Sequence, residues 1–218
     1  MSPRDHIPPL RFAALTPIYD RVVAATLPER RLRSLLVRQV GLRPGERVVD
    51  LGCGTGAVAL QLAERTRGAE VVGLDPDAAA LAIARRKLEA AGLPVELHRS
   101  TPWDAPFAPG SFDRVVSCLV MHHLRSDDKR RALRCAREWL RVGGEIHLAD
   151  WGAASGPLSR LAFLPVQLLD GFETTTENVR RGLAPALRDA GFTDVAETHR
   201  EHTALGTLSL YRGRVAAA

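Results

Sequence analysis

The chain has 218 residues, 45% hydrophobic and 25% charged, which is enough for one globular domain with a buried core and too few for two ordinary ones. Its 18 Gly and 14 Pro are scattered, which excludes collagen-like and low-complexity architectures; no stretch approaches the roughly 18 unbroken apolar residues of a membrane span, and MSPRDHIPPL lacks an apolar signal core, so a cytoplasmic location is expected. The net charge of +5 sits at the start, where residues 1 to 48 hold nine Arg against four acidic residues and leave 21 of each sign beyond; this reads as a solvated Arg-rich helical face, not a basic stripe for nucleic acid.

Residues Phe12 to Ala25 and Arg30 to Val40 read as two helices, an N-terminal annex without a core of its own. From Glu46 short apolar runs alternate with amphipathic helical ones, the pattern of a parallel sheet with crossover helices. Arg47 to Leu51 is a first strand, followed by a Gly-rich turn and a helix from about Gly56 to Arg65. Glu70 to Leu74 is a second strand. Asp77 is the expected cap of the next helix, whose Leu81, Ala84 and Leu88 share one face. Gly92 ends it, and Val95 to Arg99 is a third strand. A Pro-rich loop, STPWDAPFAPGS, leads to a fourth strand at Phe112 to Cys118. Ser126 is expected to cap a helix that Gly143 and Gly144 close, before a fifth strand at Glu145 to Asp150. Residues 157 to 170 then read as an apolar helix broken at Pro165, and Thr176 to Arg181 as a short helix ending at Gly182. Another helix starts near Pro185 and stops before Gly191. Thr193 to His199 and Leu205 to Tyr211 read as two strands able to pair antiparallel at one edge of the sheet.

Three cysteines without a C-x-x-C pair, Cys53, Cys118 and Cys135, supply neither a disulfide framework nor a cysteine-based zinc site. The chemistry centres on VVDLGCGTGA, where Gly52, Gly54 and Gly56 follow a strand and open a helix. Glycines there let the backbone turn sharply and approach a ligand, and the helix start offers unpaired N–H groups. Gly52, Gly54 and Ala57 also satisfy the dinucleotide pattern G-x-G-x-x-A, and Asp75, before Pro76, suits the ribose of either kind of adenosine ligand. Asp50 separates the two. A carboxylate ending the first strand repels a pyrophosphate and attracts a cationic sulfonium and amino group.

VVDLGCGTG, VVGLDPD, PFAPGSFDRVVSCLVMHHL and EWLRVGGEIHLAD occur in that order. With LTPIYDRV upstream they make the chain resemble the class I S-adenosylmethionine-dependent methyltransferases, and among them the ubiquinone/menaquinone-biosynthesis-like small-molecule group. The resemblance covers about residues 15 to 151 and continues more weakly through DGFETTTENVR and LGTLSLYR. It implies an α/β, Rossmann-like, seven-stranded and mostly parallel sheet with an antiparallel last strand. It also implies S-adenosyl-L-methionine as cofactor across the C-terminal ends of the first strands, and a small-molecule acceptor. One domain is expected over 1–218, acting as a monomer or homodimer: an N-terminal helical lid at 1–44 carrying Tyr19, a cofactor-binding core at 45–151, and acceptor-side helices with the final strand pair at 152–218.

At the adenine position, where the family commonly has an acidic residue followed by a backbone N–H, this chain has Thr101 and Pro102, and proline has no N–H to give. Trp103 is a candidate for the purine face, with plain loop packing as its alternative. Cys118 would lie near the methionine part of the cofactor, or simply pack. His122 and His123 follow the fourth strand, where a base near neutral pH would sit, and His123 is the expected catalytic residue; a structural role is open for either. No metal site is expected. An RNA methyltransferase, or a cofactor-binding protein without transfer activity, are the competing functions; the Pro-Pro-aromatic loop and Pro-Cys nucleophile of nucleic-acid enzymes are both missing from SCLVMHHL.

Overall fold

The computed structural model describes residues 29–217. The first expected helix, Phe12 to Ala25, and Tyr19 within it lie outside the described residues. The order is α1 (Glu29–Val40), β1 (Arg47–Leu51), α2 (Ala57–Arg65), β2 (Glu70–Asp75), α3 (Ala78–Ala90), β3 (Val95–Arg99), β4 (Phe112–Cys118), α4 (Ser126–Trp139), β5 (Leu140–Trp151), α5 (Pro157–Ala162), α6 (Leu164–Asp170), α7 (Phe172–Arg181), α8 (Ala184–Asp189), β6 (Thr193–Thr203) and β7 (Gly206–Arg214).

These strands form one sheet in the order β3-β2-β1-β4-β5-β7-β6. Strands β1 to β5 pair in parallel, and β7 runs antiparallel to both β5 and β6. Val48, Val49 and Leu51 of β1 are buried, as expected for a central strand covered on both faces. One apolar layer holds Leu133, Ala136 and Trp139 of α4 with Ala186 and Leu187 of α8. The other holds Leu32, Leu36, Val37 and Val40 of α1, Val58 and Leu62 of α2, and Phe163 and Val166. The chain leaves β1 toward β2 and β3 and later returns on the other side through β4. The crevice at this switch point, outside the carboxyl ends of β1 and β4, is where open α/β sheets take ligands.

Helix α1 is seated in the second layer, with Leu32 and Leu36 fully buried. Leu36→Ala is therefore expected to cost about 2–5 kcal/mol, read as a lower urea midpoint. An unmoved midpoint would mean that α1 is a detachable cover.

Three local expectations need correction. Ser126 is the first residue of α4 and not its cap; Arg125 holds the cap position and the Ser126 hydroxyl donates to Glu177. Gly143 and Gly144 do not close α4, which ends at Trp139 where β5 begins. They sit in a bulge of β5: two steps along β4, from Phe112 to Arg114, match five along β5, from Leu140 to Glu145. Gly143 has φ +76°, and a Cβ on Gly144 would lie 2.9 Å from the Arg141 carbonyl, so the bulge requires both. Helix α7 begins at Phe172, four residues before the expected start.

Candidate functional site

Strand β1 delivers Asp50 and the glycine turn to the switch point. Gly52 and Cys53 both donate their N–H to the Leu74 carbonyl, at 2.8 and 3.1 Å, which draws the turn against the end of β2. Gly52, Gly54 and Gly56 all have positive φ, +74°, +51° and +76°, a conformation that side chains with a Cβ resist. A Cβ on Gly52 would lie 2.5 Å from Cγ2 of Val120, and one on Gly56 would lie 2.9 Å from Cβ of Ala84. Gly54 differs, because nothing lies within 4 Å of its Cβ position. The middle glycine therefore faces open space while the outer two are needed for packing.

Two carboxylates bracket this turn. Asp75 ends β2, accepting the Gly54 N–H on Oδ2 and the Asp77 N–H on Oδ1, both at 2.8 Å. It is half-buried, so lone pairs remain for a ligand with two hydroxyls. Asp77 caps α3 through the N–H groups of Ala79 and Ala80. Asp50 is buried and accepts the Ala59 N–H of α2 at 3.1 Å. Burial pushes its carboxyl up to about 7, with the Ala59 N–H opposing and the Asp75 charge adding to the rise. Neighbouring anions of which one is desolvated make a site that favours a cation.

Strand β3 delivers the third part. Pro102–Asp104 form a single 3-10 turn, and the Ser100 N–H reaches the Asp75 carbonyl at 3.3 Å. The Thr101 hydroxyl donates to Asp104 Oδ2 at 2.7 Å. The Arg131 guanidinium stacks 4.6 Å from the Trp103 ring centroid, a cation–π contact that fixes the indole. Asp104 is an exposed carboxylate in the position-101 loop that the sequence comparison overlooked, displaced three residues from the place where an acid is expected.

Strand β4 delivers the fourth. The Ser117 hydroxyl donates to the Leu51 carbonyl at 2.8 Å, tying the ends of β1 and β4. Burial pushes up the thiols of Cys118 and Cys53, so neither is a nucleophile. At Leu119 the chain takes φ +57°, rare for a bulky residue, and swings Val120 over Gly52. Met121–His123 then make one 3-10 turn. His122 is buried and His123 exposed, their ring centroids 3.9 Å apart.

The sequence did not single out the hub beneath this turn. Asp150, at the end of β5, is buried and receives the N–H groups of Val120, Met121 and His122 on Oδ2, at 3.1, 2.7 and 3.4 Å. Its Oδ1 receives the Trp151 N–H at 2.7 Å, Asn178 Nδ2 at 3.3 Å and the His122 ring at 2.8 Å. Burial alone would raise the Asp150 carboxyl, but His122 and these donors outweigh it and hold it below the usual range. Lys129, fully buried, donates to Asn178 Oδ1 and lies 3.6 Å from Glu177. Arg33 of α1, paired with Glu29, partly offsets the rise of the Asp50 carboxyl. The position of Asp150 at a strand's carboxyl end was the signal for it; the Asn178 and Lys129 contacts had none.

The described candidates, Asp50, Gly52, Gly54, Gly56, Asp75, Pro76, Thr101, Pro102, Trp103, Cys118 and His123, thus lie at or just beyond the carboxyl ends of β1 to β4. A groove of about 760 Å³ opens at the opposite end, lined by Arg43, Arg114, Arg141 and Arg214 against Glu46, Glu145 and Asp194. Among the described residues no cluster of three His, Cys, Asp or Glu is placed to hold a metal, and no helix is long and apolar enough to cross a membrane.

A family model described as a methyltransferase domain matches residues 48–144. The uncharacterized methyltransferase sll0829 of Synechocystis is 31% identical over 190 residues, covering 85% of this chain and 84% of that protein. Demethylmenaquinone methyltransferase of Thermus thermophilus is 41% identical over 106 residues, 49% of this chain; the match spans about half of that relative, 47% of its length. Among solved structures, the apo form of the S-adenosylmethionine-dependent methyltransferase SibL superposes with a TM-score of 0.73 at 23% identity, covering 94% of this chain and 60% of that one.

Proposed function

Because the chain belongs to the S-adenosylmethionine-dependent methyltransferases, we propose that it methylates a small, partly apolar acceptor held between the glycine turn and helices α5 to α7. The observation that carries the cofactor assignment is the pair of carboxylates around an open, positive-φ glycine turn. When bound, S-adenosylmethionine supplies a methyl group already activated by its sulfonium. Asp50 offsets the cationic end of that molecule, Asp75 accepts from the ribose hydroxyls, and Gly54 leaves room for backbone approach. Asp104, which already holds the Thr101 hydroxyl, accepts from the adenine amino group, and Trp103, steadied by Arg131, borders the ring. Of the lid expected over 1–44, Glu29–Val40 packs into the core instead, and Tyr19 lies outside the described residues. An RNA acceptor is disfavoured by the charge balance beyond residue 48.

Holding acceptor and methyl carbon in line is worth roughly 7–11 kcal/mol in favourable cases, so alignment supplies most of the catalysis. Exclusion of water helps, because positive charge disperses as the methyl group moves. The test is incubation with methyl-labelled cofactor and a panel of metabolites and RNA, read by mass spectrometry. Label on a metabolite supports the reading; label on RNA alone overturns it.

Gly54→Ala separates the cofactor role from folding. Its methyl group has room, so the fold is expected to survive at a cost of roughly 1–2 kcal/mol for the left-handed backbone. It would nevertheless project into ligand space, and calorimetry is expected to show at least tenfold weaker cofactor binding. Gly52→Ala, which drives a Cβ into Val120, should instead lower the melting temperature strongly.

A further inference from the structure

We propose that helices α5 and α6 are the core of a symmetric homodimer, in which an exposed ridge of Leu158, Leu161, Pro165 and Leu168 packs antiparallel on the same ridge of a second copy. This contact is independent of the methyl-transfer reading and would hold for a chain of any activity.

Residues 157 to 170 are apolar on two faces. The inner face is occupied: Phe163, Val166 and Gln167 are fully buried, the first two in the layer that holds α1. The break between the helices lasts one residue, and that residue keeps helical dihedrals, φ −82° and ψ −10° at Phe163. Its N–H reaches the Ser159 carbonyl at 3.2 Å, and its carbonyl receives the Gln167 N–H at 3.1 Å. Arg160 bonds to the side chain of Gln167, two turns further on, so the two helices run on as one path.

The outer face is open. Leu158 is 82% exposed, Leu161 63% and Leu168 60%, with Pro165 exposed among them. Phe172, past the Gly171 corner, adds a ring that is 47% exposed. The other large apolar side chains that are exposed among the described residues, Ile83 and Val142, stand apart on α3 and in the β5 bulge. A single exposed apolar residue is ordinary, whereas a contiguous row of them marks an interaction surface.

The spacing of the row points to its occupant. Steps of three, four and three residues from Leu158 to Leu168 are the seam of a helix pair. Read from the other end the steps are the same. Two antiparallel copies therefore set Leu158 against the partner's Leu168 and Leu161 against the partner's Pro165, the self-complementary contact of a two-fold dimer. Charge agrees with a protein partner. Helices that lie on a bilayer carry Lys and Arg along their polar face, but residues 152 to 172 hold one basic residue, Arg160, and it is engaged with Gln167. Depletion of charge is the mark of an interface core.

The area is sufficient for that core. At these exposures the ridge and Phe172 present on the order of 400 Å² of apolar side chain, about half of the roughly 800 Å² that each partner gives to a standard interface, and the polar surface around them supplies the rim. A partner on this face would also steady the acceptor side of the protein. Gln167 of α6 donates to the hydroxyls of Thr175 and Thr176 on α7, and Asn178 of the same helix donates to Asp150.

Sedimentation of the full chain over roughly 1–100 µM tests this. The parent is expected to pass from monomer to dimer. Leu161→Glu should weaken the dimer about 100-fold or more, because it buries a carboxylate without a partner, and should leave the circular dichroism of the monomer unchanged, because the side chain is exposed there. Val142→Glu, at an exposed apolar residue away from the ridge, should change the dimer by less than about twofold. The register has its own test. Leu158→Glu and Leu168→Arg should each weaken the dimer alone, and an equal mixture of the two should associate more tightly than either, since one copy's new carboxylate then meets the other's guanidinium. A parent that stays monomeric to roughly 100 µM, a dimer indifferent to Leu161→Glu, or a mixture no tighter than its components overturns the proposal. So does a monomer that sediments with phosphatidylglycerol vesicles through this ridge, which would assign it to a lipid surface, or a monomer in which Leu161→Cys resists alkylation, which would put residues 1–28 of the same chain on it.

Discussion

Replacing Asp75 with alanine is expected to weaken S-adenosylmethionine binding about 100-fold or more. A carboxylate that accepts two ribose hydroxyls makes two charge-assisted bonds of about 1.5–3 kcal/mol each, and each 1.4 kcal/mol is a tenfold change in affinity. The same side chain holds the N–H groups of Gly54 and Asp77, so its loss also loosens the turn that meets the ligand. Asp75→Asn turns one acceptor oxygen into a donor facing an N–H, and should fall between parent and alanine variant. Calorimetry on the folded variants decides it; an alanine variant within twofold of the parent would remove Asp75 from the site.

The second large effect concerns stability. Asp150→Ala strands four backbone N–H groups, Asn178 and His122 in the interior. Breaking such a buried arrangement costs about 3–5 kcal/mol, equivalent to a melting-temperature drop of roughly 6–20 °C for a domain of this size. The sign with pH follows from the depressed carboxyl. Stability from Asp150 is fully present above the ordinary aspartate pKa of about 3.9 and is lost as pH falls through the lower folded value. The gap between parent and Asp150→Ala should accordingly be widest near neutrality and close below about pH 4. Melting curves across pH check both; an equal gap at pH 3 and pH 7 would show that Asp150 acts only through packing.

The strands of the cofactor half were legible because a buried parallel strand is a short apolar run with a turn after it: RVVDL before the glycines, EVVGLD before Pro76, and FDRVVSC. The glycine turn and Asp75 were legible for a related reason, since their residue types answer local backbone and hydrogen-bond demands that need no distant partner. Gly143 and Gly144 misled for the opposite reason. A glycine pair after a helix reads as its stop, and only pairing with β4 reveals that the strand has three residues too many there. Helix α7 hid its first turn behind Phe172 to Thr175, where β-branched threonines argue against helix; the hydroxyls of Thr174 and Thr175 bond back to the Gly171 carbonyl instead. The His122–Asp150–Asn178 hub joins residues 28 apart on each side. Nothing short of the folded sheet brings them together.

The carboxylate-flanked glycine turn as a site for a cationic cofactor is tested most directly by calorimetric titration with S-adenosylmethionine at pH 7, in buffers of different ionisation enthalpy. Buried Asp50, its carboxyl raised to about 7, is half protonated there, and a cation arriving beside it favours the charged form. The expected result is release of about half a proton on binding, with affinity rising from pH 6 to pH 8 and the release lost in Asp50→Asn. Binding with no proton release and no pH dependence, or tighter binding of a pyrophosphate dinucleotide than of S-adenosylmethionine, would contradict it.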